Sequence, residues 1–247
     1  EESFREFAHK VPAENLFIIK GLPLEGNTIA VNVGADYVAQ NIRIENGFYV
    51  FDVKTKDELI ENIKFGLPGH HNLTNALLAF AMAKSYGVEN EKIKKALATF
   101  KGVRRRFSFQ IREENLVYID DYAHHPTEIN AVHQAVRELY PNKKIIACFQ
   151  PHLFSRTNDF IDGFAESLSQ FDEILLLEIY PARELPMEGV NSTWLLSKIK
   201  NENKRLVSKE ELLTSFATSD ANVFVTIGAG DIGEMVKDIK KVLNEKV

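Results

Sequence analysis

Four short, continuously apolar runs rich in β-formers recur in the second half of the chain, at residues 116–119, 145–149, 174–177 and 223–227. None alternates with polar residues, as expected of parallel strands covered on both faces. Helical spacing fills the gaps: Ile129, Val132, Val136 and Leu139, then 160–168, 194–199 and 210–216. A last helix follows through Met235, Val236, Ile239 and Val242. The rhythm predicts a doubly wound α/β domain with a mostly parallel sheet, from about residue 108 to the end. Residues 107–111 and 116–119 flank a polar stretch and predict a hairpin at its start.

Open sheets of this kind bind ligands beyond the carboxyl ends of their strands. Four such turns are expected here: Asp120-Asp121-Tyr122-Ala123-His124-His125, Gln150-Pro151-His152-Leu153-Phe154-Ser155-Arg156-Thr157, Glu178 with Tyr180–Glu184, and Gly228-Ala229-Gly230-Asp231. Pro126 suits a first helical turn, where its missing N–H has no partner to lose. One acid before that helix reads as a cap. Two carboxylates, a phenol and two imidazoles on one turn read as a site. The stretch from Gly228 to Gly233 matches G-x-G-x-x-G, but no βαβ unit follows it, so it is read as a tight turn close to a ligand and not as a dinucleotide fingerprint.

The first half is read more coarsely. A helix tail covers residues 3–10, and β-rich runs cover 16–19, 28–33, 37–44 and 48–53, with Asn46-Gly47 as a hairpin turn between the last two. Leu73, Leu77 and Phe80 share a helix face closed by Gly87, and Ile93, Leu97 and Phe100 mark another helix. Asn72 and Asn75 either cap the first of these or present amides to a base or sugar. Lys101–Phe107, with Gly102 and three consecutive arginines, reads as a hinge. The arginines are a solvated run or, facing an anion, a clamp.

Composition narrows the function. A net charge of −5 argues against a nucleic-acid partner that needs a broad basic surface. No apolar run reaches the ~20 residues of a membrane span. Cys148, the only cysteine, lies in an apolar run and reads as a buried small hydrophobe; its isolation fits a reducing cytoplasm. His70-His71 and His124-His125 lack zinc-site spacing. His9 and His133 read as helix-surface residues. The chain begins Glu1-Glu2-Ser3 without methionine and is expected to be a piece of something longer.

Taken in order, Pro68-Gly69-His70-His71-Asn72 with Asn75, Gly102–Phe107, Asp120–Glu128, Phe149–His152 with Ser155-Arg156-Thr157, Ile179–Glu184 and Gly228–Ile232 resemble the blocks of the Mur ligases. The likeness is strongest to the members that add alanine. It implies a fold in which residues 1–103 are the C-terminal part of a central ATP-binding domain and 104–247 a Rossmann-like ligase domain. The phosphate loop and the magnesium ligands would lie upstream, leaving no metal site in this fragment, which alone would be inactive. The implied reaction is ATP-driven joining of L-alanine to the lactyl carboxylate of UDP-N-acetylmuramate through an acyl phosphate. By the same resemblance Asn72 and Asn75 read adenine, Arg106 and Asp121 contact ATP, His124 lies near the γ-phosphate, and Tyr122, His152 and Arg156 meet the muramyl and alanine end. Many members carry His-Arg after Gln-Pro where this chain has His152-Leu153, which leaves the anion to Arg156. A peptide-recycling ligase and a non-catalytic nucleotide-binding module are the rival readings.

Overall fold

The computed structural model describes residues 2–45 and 47–246. The chain divides into two units, Glu1–Lys101 and Gly102–Val247.

In the first unit a short helix α1 (Glu2–Ala8) precedes a sheet of β1 (Phe17–Ile19), β2 (Asn27–Val31), β3 (Tyr37–Glu45), β4 (Phe48–Lys54) and β5 (Leu59–Phe65), paired in that order. β1, β2 and β3 are parallel although only short loops join them. Strands this short need a return of only about 10–17 Å, at ~3.3 Å per residue, which a loop of five to seven residues covers. β3, β4 and β5 form an antiparallel meander. Asn46 of the expected Asn46-Gly47 turn lies outside the described residues; Gly47 has φ +76° and Glu45 pairs with Phe48.

β5 is absent from the sequence reading for a local reason. Ile60, Ile63 and Phe65 are its buried positions, a spacing of three and then two. Asn62 takes φ +58°, and the register with β4 shifts between Phe51 and Val53. Such a bulge breaks the two-residue period that sequence reading relies on. Helices α2 (His70–Ser85) and α3 (Asn90–Thr99) lay Leu73, Leu77, Phe80, Ile93 and Leu97 against Phe51, Val53 and Ile63 in one core.

The second unit is built on β6 (Ser108–Arg112), β7 (Val117–Asp121), β8 (Ile145–Phe149), β9 (Glu173–Leu176), β10 (Lys204–Leu206) and β11 (Val223–Ile227). Their spatial order is β10-β9-β8-β11-β7-β6. All run parallel except β6, which forms the expected hairpin with β7. On one face lie α4 (Pro126–Leu139), α6 (Ile161–Leu168) and α7 (Ser192–Lys198), whose Ile129, Val136, Phe164 and Leu195 pack on Ile119, Ala147 and Val225. On the other lie α8 (Lys209–Thr218) and α9 (Val236–Asn244), whose Leu212, Phe216 and Ile239 pack on Tyr118, Cys148 and Phe224. Two cores on one sheet explain the continuous apolar runs of its inner strands β7, β8, β9 and β11.

Two details depart from the sequence reading. β10 was not expected: it is a three-residue edge strand beginning Lys204-Arg205, too short and too charged to carry a strand pattern. The helix expected over 160–168 is α6, and a short helix that was not expected, α5 (Phe154–Asp159), precedes it, the two separated at Phe160 where φ is −119°. Among the described residues no helix is long and apolar enough to cross a membrane.

β7 and β8 lead into helices on the first face, and β11, which lies between them, leads into α9 on the other. The two directions of winding part beside β11, where folds of this kind open a ligand crevice.

Candidate active site at the carboxyl edge of the sheet

Ile227 at the end of β11 is level with Asp121 and with Phe149, and Phe149 is level with Leu176. The turns after β7, β8, β9 and β11 therefore leave one edge, as the strand pattern predicts.

A row of rings crosses that edge. Tyr122 meets His124 edge-on with centroids 5.4 Å apart, His124 lies 6.4 Å from His152, and His152 stacks on Tyr180 at 5.7 Å. The Arg105 guanidinium lies 5.1 Å from the Tyr122 ring centre at one end. At the other, Arg156 Nη1 is 3.4 Å from His152 Nδ1. An arginine only donates, so His152 Nδ1 accepts and its proton sits on Nε2. Burial, helped by Arg156 and His124 and opposed by Glu184, holds His152 below the usual histidine range. His124 Nδ1 lies 2.9 Å from the Tyr122 carbonyl, so that nitrogen carries a proton and Nε2 is the atom left to meet a ligand.

Beneath the rings runs a buried polar chain. Tyr118 Oη is 3.0 Å from Thr226 Oγ1, which donates to Asp120 Oδ1 at 2.9 Å. Since the threonine proton goes to the carboxylate, Tyr118 is the donor of the first bond. Arg105 Nε lies 3.3 Å from Asp120 Oδ2, and its Nη2 donates to the Gly228 carbonyl at 2.5 Å. Asp120 is 1% exposed. Burial raises its pKa and Arg105 opposes the rise. Asp121 accepts the N–H groups of Phe107 at 2.6 Å and Ala123 at 2.7 Å. Burial nonetheless pushes its pKa up to about 6. Of the expected 101–107 hinge, Arg105 and Phe107 are thus fastened to the second unit.

The glycines of the last turn are explained by packing. Gly228 has φ +148°, and a Cβ there would meet the Gln150 carbonyl oxygen at 2.8 Å. A Cβ on Gly230 would fall 2.7 Å from Tyr180 Cβ, and one on Gly233 would enter the Arg105 guanidinium. Gln150, itself buried, ties the turns together: its Nε2 donates to Asp231 Oδ1 at 2.7 Å and its Oε1 accepts from Ile232 N–H at 2.9 Å. Asp231 also pairs with Lys209 at 2.5 Å.

Of the expected site residues, Tyr122, His124, His152 and Arg156 are brought together. Asp121 is buried beneath them, while Arg106 is exposed and its charge lowers the Asp121 pKa. Asn72 and Asn75 belong to the first unit. Asn72 does not cap α2: its side chain donates to the Pro68 carbonyl at 2.7 Å, and the N-cap is Gly69. Asn75 is exposed. Neither aspartate caps α4; that task falls to His125, whose Nδ1 accepts the Thr127 N–H at 3.3 Å. His133 is half-buried, its ring edge-on to Phe171. Arg105, Thr226, Gln150 and Glu184 were not singled out, although all but Thr226 stand inside the blocks quoted above. Arg105 could have been found by asking which of three arginines a buried Asp120 requires.

Residues 105–230 match the family described as the Mur ligase, glutamate ligase domain. The UDP-N-acetylmuramate–L-alanine ligase of Flavobacterium psychrophilum is 69% identical over 99% of this chain and 55% of its own length. That of Flavobacterium johnsoniae is 64% identical over 100% and 55%. The chain thus spans about half the length of the curated relatives it matches. Among solved structures, the UDP-N-acetylmuramate–alanine ligase of Thermotoga maritima superposes with a TM-score of 0.74 at 27% identity, covering 90% of this chain and 48% of that one. Folylpolyglutamate synthase of Mycobacterium tuberculosis with ADP, at 15% identity and a TM-score of 0.66 over 86% and 48%, shares the fold. The family match takes in more than half of the chain and runs from Arg105 to Gly230, across all four turns of the carboxyl edge. This protein is a member of the Mur ligase family.

Proposed function

We propose that this chain is the C-terminal part of an ATP-dependent ligase that joins L-alanine to UDP-N-acetylmuramate in peptidoglycan synthesis, acting in the cytoplasm. The observation that carries the reading is the convergence of Tyr122, His124, His152 and Arg156 on one sheet edge. The identities of 64–69% to ligases of that name support it. In this reading residues 1–103 are the end of a central ATP-binding domain, in which Asn72 and Asn75 read adenine.

The chemistry asks for a carboxylate to be phosphorylated and then attacked by an amine. Negative charge builds on the phosphoryl and acyl oxygens, and fixed donors aimed at it lower the barrier. His124 Nε2 faces the γ-phosphate in this reading. Arg156 offers a planar fork to a substrate carboxylate, and His152 Nε2–H a second donor. The neutral state favoured at His152 leaves Arg156 as the charge that selects the anion. Arg106 and Asp121 contact ATP. Magnesium, which ATP chemistry of this kind uses to neutralise phosphate charge, is assigned in this reading to residues outside this chain.

The test is phosphate release with ATP, magnesium, UDP-N-acetylmuramate and L-alanine. The full-length protein carrying this sequence is expected to turn over, and residues 1–247 alone are not. Turnover with another amino acid or a peptide in preference to L-alanine would overturn the substrate assignment. In the full-length protein, Arg156→Lys is expected to lower kcat/KM by roughly 30–150-fold, because a point charge does not replace a fork that contributes on the order of 2–3 kcal/mol.

A further inference from the structure

Helix α5 begins without a cap of its own. Its N-cap residue is Leu153, at φ +75° and ψ 135°, and that side chain has no oxygen to take the unpaired N–H groups of the first turn. The acceptor comes from the loop after β9. Glu184 Oε2 accepts the Ser155 N–H at 3.0 Å, and its Oε1 accepts the Ser155 hydroxyl. These bonds, with help from the Phe154 N–H and the Arg156 charge, hold the Glu184 carboxyl below the usual range. The two loops are joined by backbone as well: Tyr180 N–H donates to the Pro151 carbonyl at 2.9 Å, and Leu153 N–H to the Tyr180 carbonyl at 3.0 Å. Backbone bonds fix where the loop lies. Ser155, in the turn of helix that carries Arg156, is tied to that loop by Glu184.

We infer that Glu184 is a positioning residue: by supplying the cap that Leu153 lacks, it sets the first turn of α5 so that Arg156 meets the carboxylate of a bound substrate. The inference rests on the assignment of Arg156 to substrate given above. It also means that the N–H groups at this helix start are taken by an internal carboxylate, so the guanidinium of Arg156 is what remains there for a ligand's anion.

The test is a double-mutant cycle in the full-length ligase, pairing Glu184→Gln with Arg156→Ala and following KM for each substrate, kcat and melting temperature. Glutamine keeps the length but turns an amide N–H₂ toward a donor. Glu184→Gln is expected to raise KM for one substrate about tenfold, the scale of one charge-assisted hydrogen bond, with kcat within about twofold. It should add nothing further once Arg156 is alanine, and Glu184→Asp should restore part of the loss. If Glu184→Gln does not fold, Ser155→Ala takes its place in the cycle. Equal KM effects of Glu184→Gln with and without Arg156 would overturn the inference and leave Glu184 a structural staple. An Arg156→Ala enzyme with unchanged KM for both substrates would overturn the substrate reading, and the inference with it.

Discussion

The carboxylate of Asp121 accepts the backbone N–H of Phe107 at 2.6 Å, fastening the end of the arginine run to the last residue of β7. A second N–H, from Ala123, takes the other oxygen at 2.7 Å. An asparagine offers one acceptor to two donors and leaves one N–H unsatisfied, a cost of about 1–3 kcal/mol. Its neutrality also removes the burial penalty that lifts Asp121 from the usual aspartate range up to about 6. A carboxyl whose pKa is raised on folding contributes stability below its unfolded pKa and loses it as pH rises through the folded one. Residues 1–247 should therefore lose on the order of 3 kcal/mol from this group between about pH 4 and 6. Asp121→Asn should show a flatter slope across that window, measured by urea titration at several pH values. Parallel slopes would remove Asp121 as their source.

The parallel strands β7, β8, β9 and β11 and their level carboxyl edge were legible because these strands are covered on both faces, which writes continuous apolar runs into the sequence. The residues of the turns were legible as a set. What was not legible is which member of the set does which task. Arg105 and Arg106 are neighbours, yet Arg105 takes φ +59° and turns into the sheet edge while Arg106 is exposed. His125 reads like His124, yet it caps α4 and packs on Phe160 at 4.6 Å. One backbone torsion separates such pairs, and sequence spacing does not encode it. β5 was lost for the same kind of reason, at Asn62.

Arg105 and Gly233 should be coupled. The guanidinium occupies the space where a Gly233 side chain would begin, and its other atoms are held by Asp120 and Gly228. Gly233→Ala must displace it, at a cost of about 1–3 kcal/mol from crowding. Arg105→Ala leaves Asp120 buried without its cation and should cost about 3 kcal/mol. With the guanidinium already gone, Gly233→Ala should cost little more. Melting curves of both single variants and the double variant check this, and additive losses would show that the two sites are independent.

His133 should make the second unit sensitive to acid. Among the described residues neither ring nitrogen makes a hydrogen bond of good geometry, and the ring lies edge-on to Phe171 with centroids 4.9 Å apart. Burial and then Arg137 hold its pKa below the usual histidine range, against the pull of Asp172 and of the Gln170 backbone. The unfolded chain thus takes up a proton before the folded one does. Stability from this group is present above pH 6.5 and is lost as pH falls through the folded pKa. His133→Leu should flatten that part of the stability profile without lowering the plateau at pH 8. A His133→Leu profile parallel to the wild type's between pH 7.5 and 5.5 would contradict the assignment.

Leu153 stores backbone strain at the edge of the site. Its φ of +75° with ψ 135° belongs to a region that side chains avoid, at a cost on the order of 1–3 kcal/mol. Two bonds impose it: its own N–H reaches the Tyr180 carbonyl at 3.0 Å, and its carbonyl accepts the Thr157 N–H at 3.2 Å. Glycine adopts this backbone freely but adds about 1 kcal/mol of unfolded-state entropy, and it forfeits the packing of a half-buried leucine. These terms oppose each other, so Leu153→Gly should leave the melting temperature within a few degrees of wild type. Valine keeps the unfolded chain stiff and adds a branch at Cβ, where positive φ is least tolerated. Leu153→Val should therefore be less stable than Leu153→Gly by roughly 2 kcal/mol, although valine is the closer match in chemistry. If packing governs the site instead, the order reverses and glycine is the worse of the two. Thermal melts of residues 1–247 carrying each change decide between them.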